Sequence, residues 1–336
     1  MQDPEGGDLI RPADRAGLAE AVRLLRDGQL VGMPTETVYG LAADAFNARA
    51  CARVFEVKQR PTFDPLIVHI AEMGWLERVV DLSMLEGRSG QAFVALLAKR
   101  FWPGPLTLIL PKAAGVPGIV TSGLDTVAVR IPDHPVALAL LKAVATPLAA
   151  PSANKFGGLS PTRAEHVLLS LGEAVPLILD GGPCRVGVES TILDLSGPEP
   201  LLLRPGGASR EALEDALQRP LAAGPAVLDK PLAPGQLASH YAPATALRLL
   251  AQPAAHDSGE AQVGLLAFQA APQHHHYGSV EVLAPSGDLK EAAARLFECL
   301  HRLDGWRYER IDVEPVPSHG LGLAINDRLN KAAAKP

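Results

Sequence analysis

Apolar residues recur at helical spacing over residues 14–27, where Leu18, Val22 and Leu25 share one face and Gly28 offers a stop. The apolar run 30–33 comes next and predicts a strand ended by Pro34. The two patterns then mingle for two hundred residues. Helices are expected over 48–58, 91–100, 136–144 and 163–171, and strands over 66–70, 106–110, 126–131, 148–150, 177–180, 191–195 and 201–203. Without strict βαβ alternation, this order predicts an α/β fold built on a mixed, twisted open sheet with helices, not a barrel.

Over 218–243 periodicity is lost and prolines fall at 220, 225, 231, 234 and 243, which marks a stiff linker. A smaller C-terminal α/β domain follows, with strands expected over 263–268, 280–283 and 311–313 and helices over 289–303 and 321–334. The expected units are therefore 1–217, the linker 218–243 and 244–336. A length of 336 residues agrees, since one core rarely grows past about 250–300 residues.

Charge narrows the function classes. Thirty-one Lys and Arg against 37 Asp and Glu leave a net charge of −6, so no global cationic field draws the chain to nucleic acid or an anionic membrane. Cys51, Cys184 and Cys299 form no C-x-x-C pair and are odd in number, so neither a disulfide framework nor a thiolate zinc site is expected. A reducing, cytoplasmic location fits. No secretory signal is visible at the N-terminus, and the most apolar stretch, 135–151, is broken by Lys142 and Pro147, short of the roughly 18 unbroken apolar residues of a membrane span.

Candidate chemistry clusters at predicted strand ends, where α/β proteins bind ligands. Pro34-Thr35-Glu36-Thr37-Val38-Tyr39-Gly40 offers hydroxyls at 35, 37 and 39, which can bind a polar substrate or close a turn on their own backbone. Lys58 and Arg60, one residue apart at a helix end, can grip a polyphosphate or simply complement the helix dipole. His69 stands in the apolar strand after Asp64-Pro65, as a ligand or as a satisfied core histidine. Ser152 and Asn154 in Ala150-Pro151-Ser152-Ala153-Asn154 can donate to phosphate oxygens, while Ser160 or Thr162 can instead cap the helix near 163. Arg130 and Arg204, beside Ile131-Pro132 and Pro205-Gly206, would complete a local four-cation anion pocket. There is no P-loop, no G-x-G-x-x-G, no H-E-x-x-H and no G-x-S-x-G. His274-His275-His276 lies in a polar loop.

Seven segments in this order, P-T-E-T-V-Y-G-L, K-x-R-P with D-P-L-I-V-H-I, W-P-G-P-L-T, G-L-D-T-V-A-V-R, A-P-S-A-N, G-V-E-S-T and L-R-P-G, resemble the YrdC-type threonylcarbamoyl-AMP synthases. Ala233-Pro234-Gly235 leading to His240-Tyr241-Ala242-Pro243 is similar to the linker of their long two-domain form, and the C-terminal domain is similar to that form's in size and in its closing Ala324-Ile325-Asn326-Asp327-Arg328.

The resemblance implies that L-threonine, bicarbonate or CO₂, and ATP with Mg²⁺ as cofactor yield threonylcarbamoyl-AMP and pyrophosphate. The product would pass to a downstream tRNA threonylcarbamoyltransferase. It further implies that Thr37, His69, Arg130 and Ser190 hold threonine. Arg60, Asp64, Thr126, Ser152, Ser160 and Arg204 would hold ATP, joined by Lys58 and Asn154, with Lys58 and Arg60 as the catalytic pair. Asp64 is an awkward neighbour for a triphosphate, and no resident metal site is expected, because Mg²⁺ takes most of its ligands from phosphate and water. Tyr241 is expected either to cover the nucleotide as part of a lid or to pack passively on the C-terminal domain. The competing reading, a non-catalytic module binding double-stranded RNA or tRNA, is opposed by the acidic charge and the 4% aromatic content. Carbamoyl transfer from carbamoyl phosphate would normally bring zinc-type cysteine motifs.

Overall fold

The computed structural model describes residues 9–85, 87–224, 231–253 and 260–334. Strands β1 (Ile10–Pro12), β2 (Val31–Met33), β3 (Gly40–Asp44), β4 (Ile67–His69), β5 (Leu106–Pro111), β6 (Thr126–Arg130), β7 (Leu148–Ala149), β8 (Ile178–Asp180), β9 (Thr191–Asp194), β10 (Leu201–Arg204) and β11 (Ala222–Ala223) form one sheet. Their order is β1-β8-β2-β3-β7-β4-β6-β5-β9-β10-β11. Pairing is mixed, with β4 parallel to β6 and β6 antiparallel to β5. The expected mixed α/β sheet is what the chain forms.

Helices α1 (Arg15–Arg26), α2 (Ala48–Lys58), α3 (Gly87–Phe101), α4 (Pro135–Val144), α5 (Ala164–Leu171) and α6 (Arg210–Leu217) flank it. Local signals set their starts: an Asp14 side-chain oxygen accepts the Ala16 and Gly17 amides at 2.9 Å, and Asn47 does the same for α2. On one sheet face Val54 and Phe55 of α2, Val94 and Leu97 of α3 and Leu213 of α6 pack with Val68, Leu108, Val129 and Leu193. On the other, α1 and α4 cover only the strands near β2, through Leu24, Leu25, Leu140 and Leu141. Strands alternate their faces, so Ile67, Ile109, Ala128, Ile192 and Leu203 point to this second face, and there Leu232 and Ala233 of the linker cover them in place of a helix.

The C-terminal unit has the strands β12 (Ala246–Leu249), β13 (Val263–Ala267), β14 (Ser279–Val282) and β15 (Arg310–Val313), all parallel in the order β12-β15-β13-β14, with helices α7 (Leu289–Gly305) and α8 (Gly322–Ala333). It packs directly on the first unit. His166 of α5 stacks on His301 of α7 with centroids 3.8 Å apart, and Arg163 bonds Glu298. Gly187 lies against α7 at φ +74°, where a Cβ would meet the Ala293 carbonyl oxygen at 2.4 Å, so only glycine fits that approach.

The structure extends the sequence reading at several places. β1, β3, α6, β11 and β12 add to the expected elements, and β11 pairs with β10, so the large sheet continues past residue 217. Residues 225–230 of the linker, and 254–259 and 335–336 of the C-terminal unit, lie outside the described residues.

Candidate active site

The second face of the large sheet, near the ends of β2, β4, β6 and β10, holds a cavity of about 50 Å³, room for a few waters. Thr37, Arg60, His69, Arg130, Ser152, Ser190, Arg204 and Tyr241 all line it, so eight of the expected residues from separate segments meet at one point.

At one end Arg130 and His69 lie side by side, because β4 and β6 pair in register there. Both keep the parity of Ile67 and Ala128, which turns their side chains to the cavity face. Arg130 is not a free fork. Its Nη2 donates to both carboxylate oxygens of Glu36, at 2.8 and 2.7 Å, and its Nη1 donates to Thr37 Oγ1 at 3.1 Å. Glu36 is fully buried, and Nε of Arg130 is buried without a hydrogen bond. Nε is thus the unspent donor of Arg130. Burial, with the Arg130 charge adding to it, pushes the His69 imidazole down to about 3, so it is neutral, and its Nδ1 has no partner. Ser190 Oγ shares a 2.7 Å bond with Thr107 Oγ1.

At the other end, Gln59 takes the left-handed conformation at φ 53° as it closes α2, which separates the directions of Lys58 and Arg60. The Arg60 guanidinium donates to the Asp64 and Pro65 carbonyls at 3.0 and 2.8 Å and pairs with the Asp64 carboxylate at 2.9 Å. Asp64 thus neutralises Arg60, which removes the awkwardness of a carboxylate beside phosphate. Burial raises its pKa against the pull of Arg60, and neither carboxylate oxygen makes a hydrogen bond. Arg204 donates to the Ser190 carbonyl from Nε and Nη2 and to the Pro234 carbonyl from Nη1.

Five expected ATP residues, Asp64 among them, lie outside the cavity lining. Lys58 Nζ donates to the Ser152 carbonyl at 2.6 Å and to the Asn154 carbonyl. Burial, then the neighbouring Arg60, lowers its pKa well below the usual lysine value. It braces the 150–154 loop. Asn154 Nδ2 closes that loop on the Lys155 and Gly158 carbonyls, leaving Oδ1 unpartnered. Ser160 Oγ donates to Glu189. Thr126 stands four residues before Arg130, on the same face of β6, beyond the apolar patch of Ala128. Of the other sequence candidates, Thr35 Oγ1 donates to the Val38 carbonyl at 2.6 Å, the turn reading, and the Tyr39 hydroxyl donates to the Gly182 carbonyl. The cap of α5 is Arg163, with no side-chain cap bond, so neither Ser160 nor Thr162 caps it.

The linker closes the site. Pro234, Gly235, His240 and Tyr241 line the cavity. Gly235, at φ +81°, lies so close to Tyr241 that a Cβ would be 2.3 Å from the hydroxyl oxygen. Tyr241 also packs on Phe297 of α7, ring centroids 6.0 Å apart, so the cover and the packing contact are the same side chain. Glu36, Glu189 and Arg328 were missed as site residues by the sequence reading. Glu189 lines the cavity; although burial opposes its charge, Arg328 first and then Arg204 and Ser160 hold its pKa down to about 2. Arg328 breaks the apolar stripe Ala324, Ile325, Leu329, Ala332 on the buried face of α8, a signal readable from the sequence.

Three buried arginines converging on a cavity at strand ends, with a neutral histidine and hydroxyls, define an α/β enzyme for an anionic substrate, built in the YrdC manner with a second domain over the site. The family model described as Telomere recombination (Sua5, YciO, YrdC) matches residues 23–206, and Threonylcarbamoyl-AMP synthase, C-terminal domain, matches 208–334. The threonylcarbamoyl-AMP synthase of Bacillus subtilis (strain 168) is 42% identical over 330 residues, covering 94% of this chain and 92% of that one. That of Pyrococcus abyssi is 41% identical over 325 residues, covering 93% of each. The crystal structure of P. abyssi Sua5 complexed with L-threonine superposes with a TM-score of 0.84 at 37% identity, over 97% of this chain and 96% of that one. The chain belongs to the threonylcarbamoyl-AMP synthase family, in its two-domain form.

Proposed function

We propose that the protein joins L-threonine, bicarbonate or CO₂, and ATP into L-threonylcarbamoyl-AMP and pyrophosphate, the first step of N6-threonylcarbamoyladenosine formation in tRNA. The supporting observation is the cavity itself, where a neutral imidazole and the Arg130 Nε stand a short reach from Arg60 and Arg204. Threonine's carboxylate takes the Nε donor, Thr37 and Ser190 offer hydroxyls, and the uncharged His69 accepts from the substrate's N–H or O–H at Nδ1. The neutral threonine amine adds to CO₂ and gives up a proton to form a carbamate. A carbamate oxygen then attacks the α-phosphorus, a P–O bond forms, and the bond to pyrophosphate breaks. These residues contribute position and fixed positive charge.

Mg²⁺ fits the donor set only as a companion of ATP. Among the described residues no three His, Cys, Asp or Glu side chains gather to hold a metal, and the Glu36 and Glu189 carboxylates are taken by arginines. The Asp64 carboxylate is likewise paired with Arg60, so the ion would be held mainly through ATP phosphates and water, and would neutralise phosphate charge when bound.

Pro234, Gly235, His240 and Tyr241 of the linker line the cavity, so we assign the linker the role of a lid that lifts for substrate and closes for chemistry. Closure keeps water from a mixed anhydride that hydrolyses readily. A tRNA threonylcarbamoyltransferase consumes the product. Among the described residues no helix is long and apolar enough to cross a membrane, and Cys51, Cys184 and Cys299 are buried and free, in keeping with work in the cytoplasm. The test is pyrophosphate release with each substrate omitted in turn. Release that persists without threonine or without bicarbonate refutes the reading.

A further inference from the structure

The buried charges around the cavity divide unevenly between the two domains. Glu36 is matched by Arg130 and Asp64 by Arg60, both from the catalytic domain. Glu189 is matched by Arg328, 139 residues away on α8 of the C-terminal domain, whose Nε donates to Oε2 at 2.6 Å. Arg204, the other cation nearby, has given its donors to the Ser190 and Pro234 carbonyls and to Ser190 Oγ. Lift the C-terminal domain away and an ionised carboxylate remains on the wall of a site built for phosphate.

The same helix turn also fixes the linker. The Arg328 guanidinium carbon lies 4.8 Å from the centroid of the Tyr241 ring, a cation–π contact on the residue that closes the cavity. Lys331 Nζ donates to the Gly235 carbonyl at 2.7 Å, and the Lys331 carbonyl accepts the His240 amide at 3.2 Å. Asp327 steadies both cations, accepting from Arg328 Nη1 at 2.5 Å and pairing with Lys331 at 2.7 Å. Arg328 is 1% exposed, and its Nη2 is buried with no hydrogen bond. A buried guanidinium that keeps an unused donor is costly to retain unless the charge itself is needed.

We propose that Arg328 is a positioning residue of the nucleotide site, which neutralises Glu189 and holds Tyr241 over the cavity, so that a triphosphate is accepted only while the C-terminal domain is seated. The inference rests on the ATP reading of this cavity. It assigns the C-terminal domain a definite contribution to catalysis through one side chain. It also predicts how that contribution is removed and restored. Without Arg328, Glu189 repels phosphate at short range in a poorly screened site. Without both charges, the repulsion is gone.

The experiment measures ATP affinity, with Mg²⁺ present, by calorimetric titration of the full-length protein. Arg328→Met is expected to weaken ATP by about 10- to 100-fold, the range for one altered charge contact at close quarters. L-threonine affinity, measured alone, is expected to change far less. Arg328→Lys keeps the charge and is expected to lose only a few-fold. Adding Glu189→Gln to Arg328→Met is expected to regain most of the lost affinity, since glutamine still accepts from Ser160 without the charge. A purely structural role is told apart by the threonine arm: it would lower L-threonine affinity as much as ATP affinity in Arg328→Met, both in step with the melting temperature, and restore all three together in the double variant. Unchanged ATP affinity in Arg328→Met, a loss in Arg328→Lys as large as that in Met, or no recovery in the double variant each overturns the proposal. Wild-type protein that binds no ATP overturns it together with the site reading, whereas wild-type binding with no rescue overturns this inference alone.

Discussion

Replacing Arg130 by methionine should do two separable kinds of damage. Glu36 is fully buried, and Arg130 supplies its ion pair, so the single change leaves an uncompensated carboxylate in the core. Removing one partner of such a pair typically costs about 3–5 kcal/mol, while replacing both with groups of similar volume is often close to neutral. Arg130→Met alone should therefore be destabilised by about that amount, and adding Glu36→Gln should recover most of it. Turnover behaves differently. The Nε donor assigned above to the threonine carboxylate is missing from both variants, so on that proposal both should lose about 10²-fold or more in kcat/KM. Urea denaturation gives the stabilities, and pyrophosphate release at saturating ATP gives the rates. If the double variant regains turnover along with stability, Arg130 serves only to neutralise Glu36 and the threonine assignment is wrong.

Lys58→Ala and Arg60→Ala should each cut turnover by about 10²-fold or more, but for different reasons, Lys58 by releasing the Ser152 and Asn154 carbonyls and Arg60 by direct loss of charge. Melting curves should accordingly move more for Lys58→Ala. Tyr241→Ala should weaken ATP binding and raise ATP consumed per threonylcarbamoyl-AMP made, and ATP with threonine should protect linker bonds from protease in the wild type; unchanged cleavage would leave the linker a spacer. Burial holds His69, His166 and His240 near pKa 3, below the usual value of about 6.5, so they stabilise the fold fully above pH 6.5 and lose that contribution as pH falls toward 3. Denaturation midpoints should be level above pH 7 and drop below 6.5, with a slope approaching about 1.4 kcal/mol per pH unit for each histidine. Serine should be used only modestly less well than threonine, since one methyl group is worth roughly 1–3 kcal/mol, and valine much less well, which competition assays will show.

The sequence carried the sheet and most of the site because both depend on local pattern. Strand ends marked by Pro or Gly placed Thr37, His69, Arg130, Ser190 and Arg204, and the folded sheet gathers them. What it hid were the pairings. Glu36 meets Arg130 across 94 residues and Glu189 meets Arg328 across 139, and nothing local announces either. Lys58 and Arg60 read as one pair, yet the left-handed turn at Gln59 sends one to a loop backbone and the other to the cavity. β3 escaped notice because Gly40, Ala42 and Ala43 have weak strand preference; burial between β2 and β7 makes the strand. The linker read as a lid carrying Tyr241 or as a passive spacer, and neither reading foresaw that its apolar residues complete the sheet's second face.

The central claim is that one cavity fixes inorganic carbon onto threonine and adenylates the product. The direct measurement is a single incubation of the protein with ATP, Mg²⁺, L-threonine and ¹³C-bicarbonate, followed by mass analysis of the nucleotides and assay of pyrophosphate. The account predicts a threonine-containing adenylate carrying one ¹³C, formed in step with one pyrophosphate. Pyrophosphate released without that labelled adenylate, or an adenylate of threonine lacking the ¹³C, would contradict it.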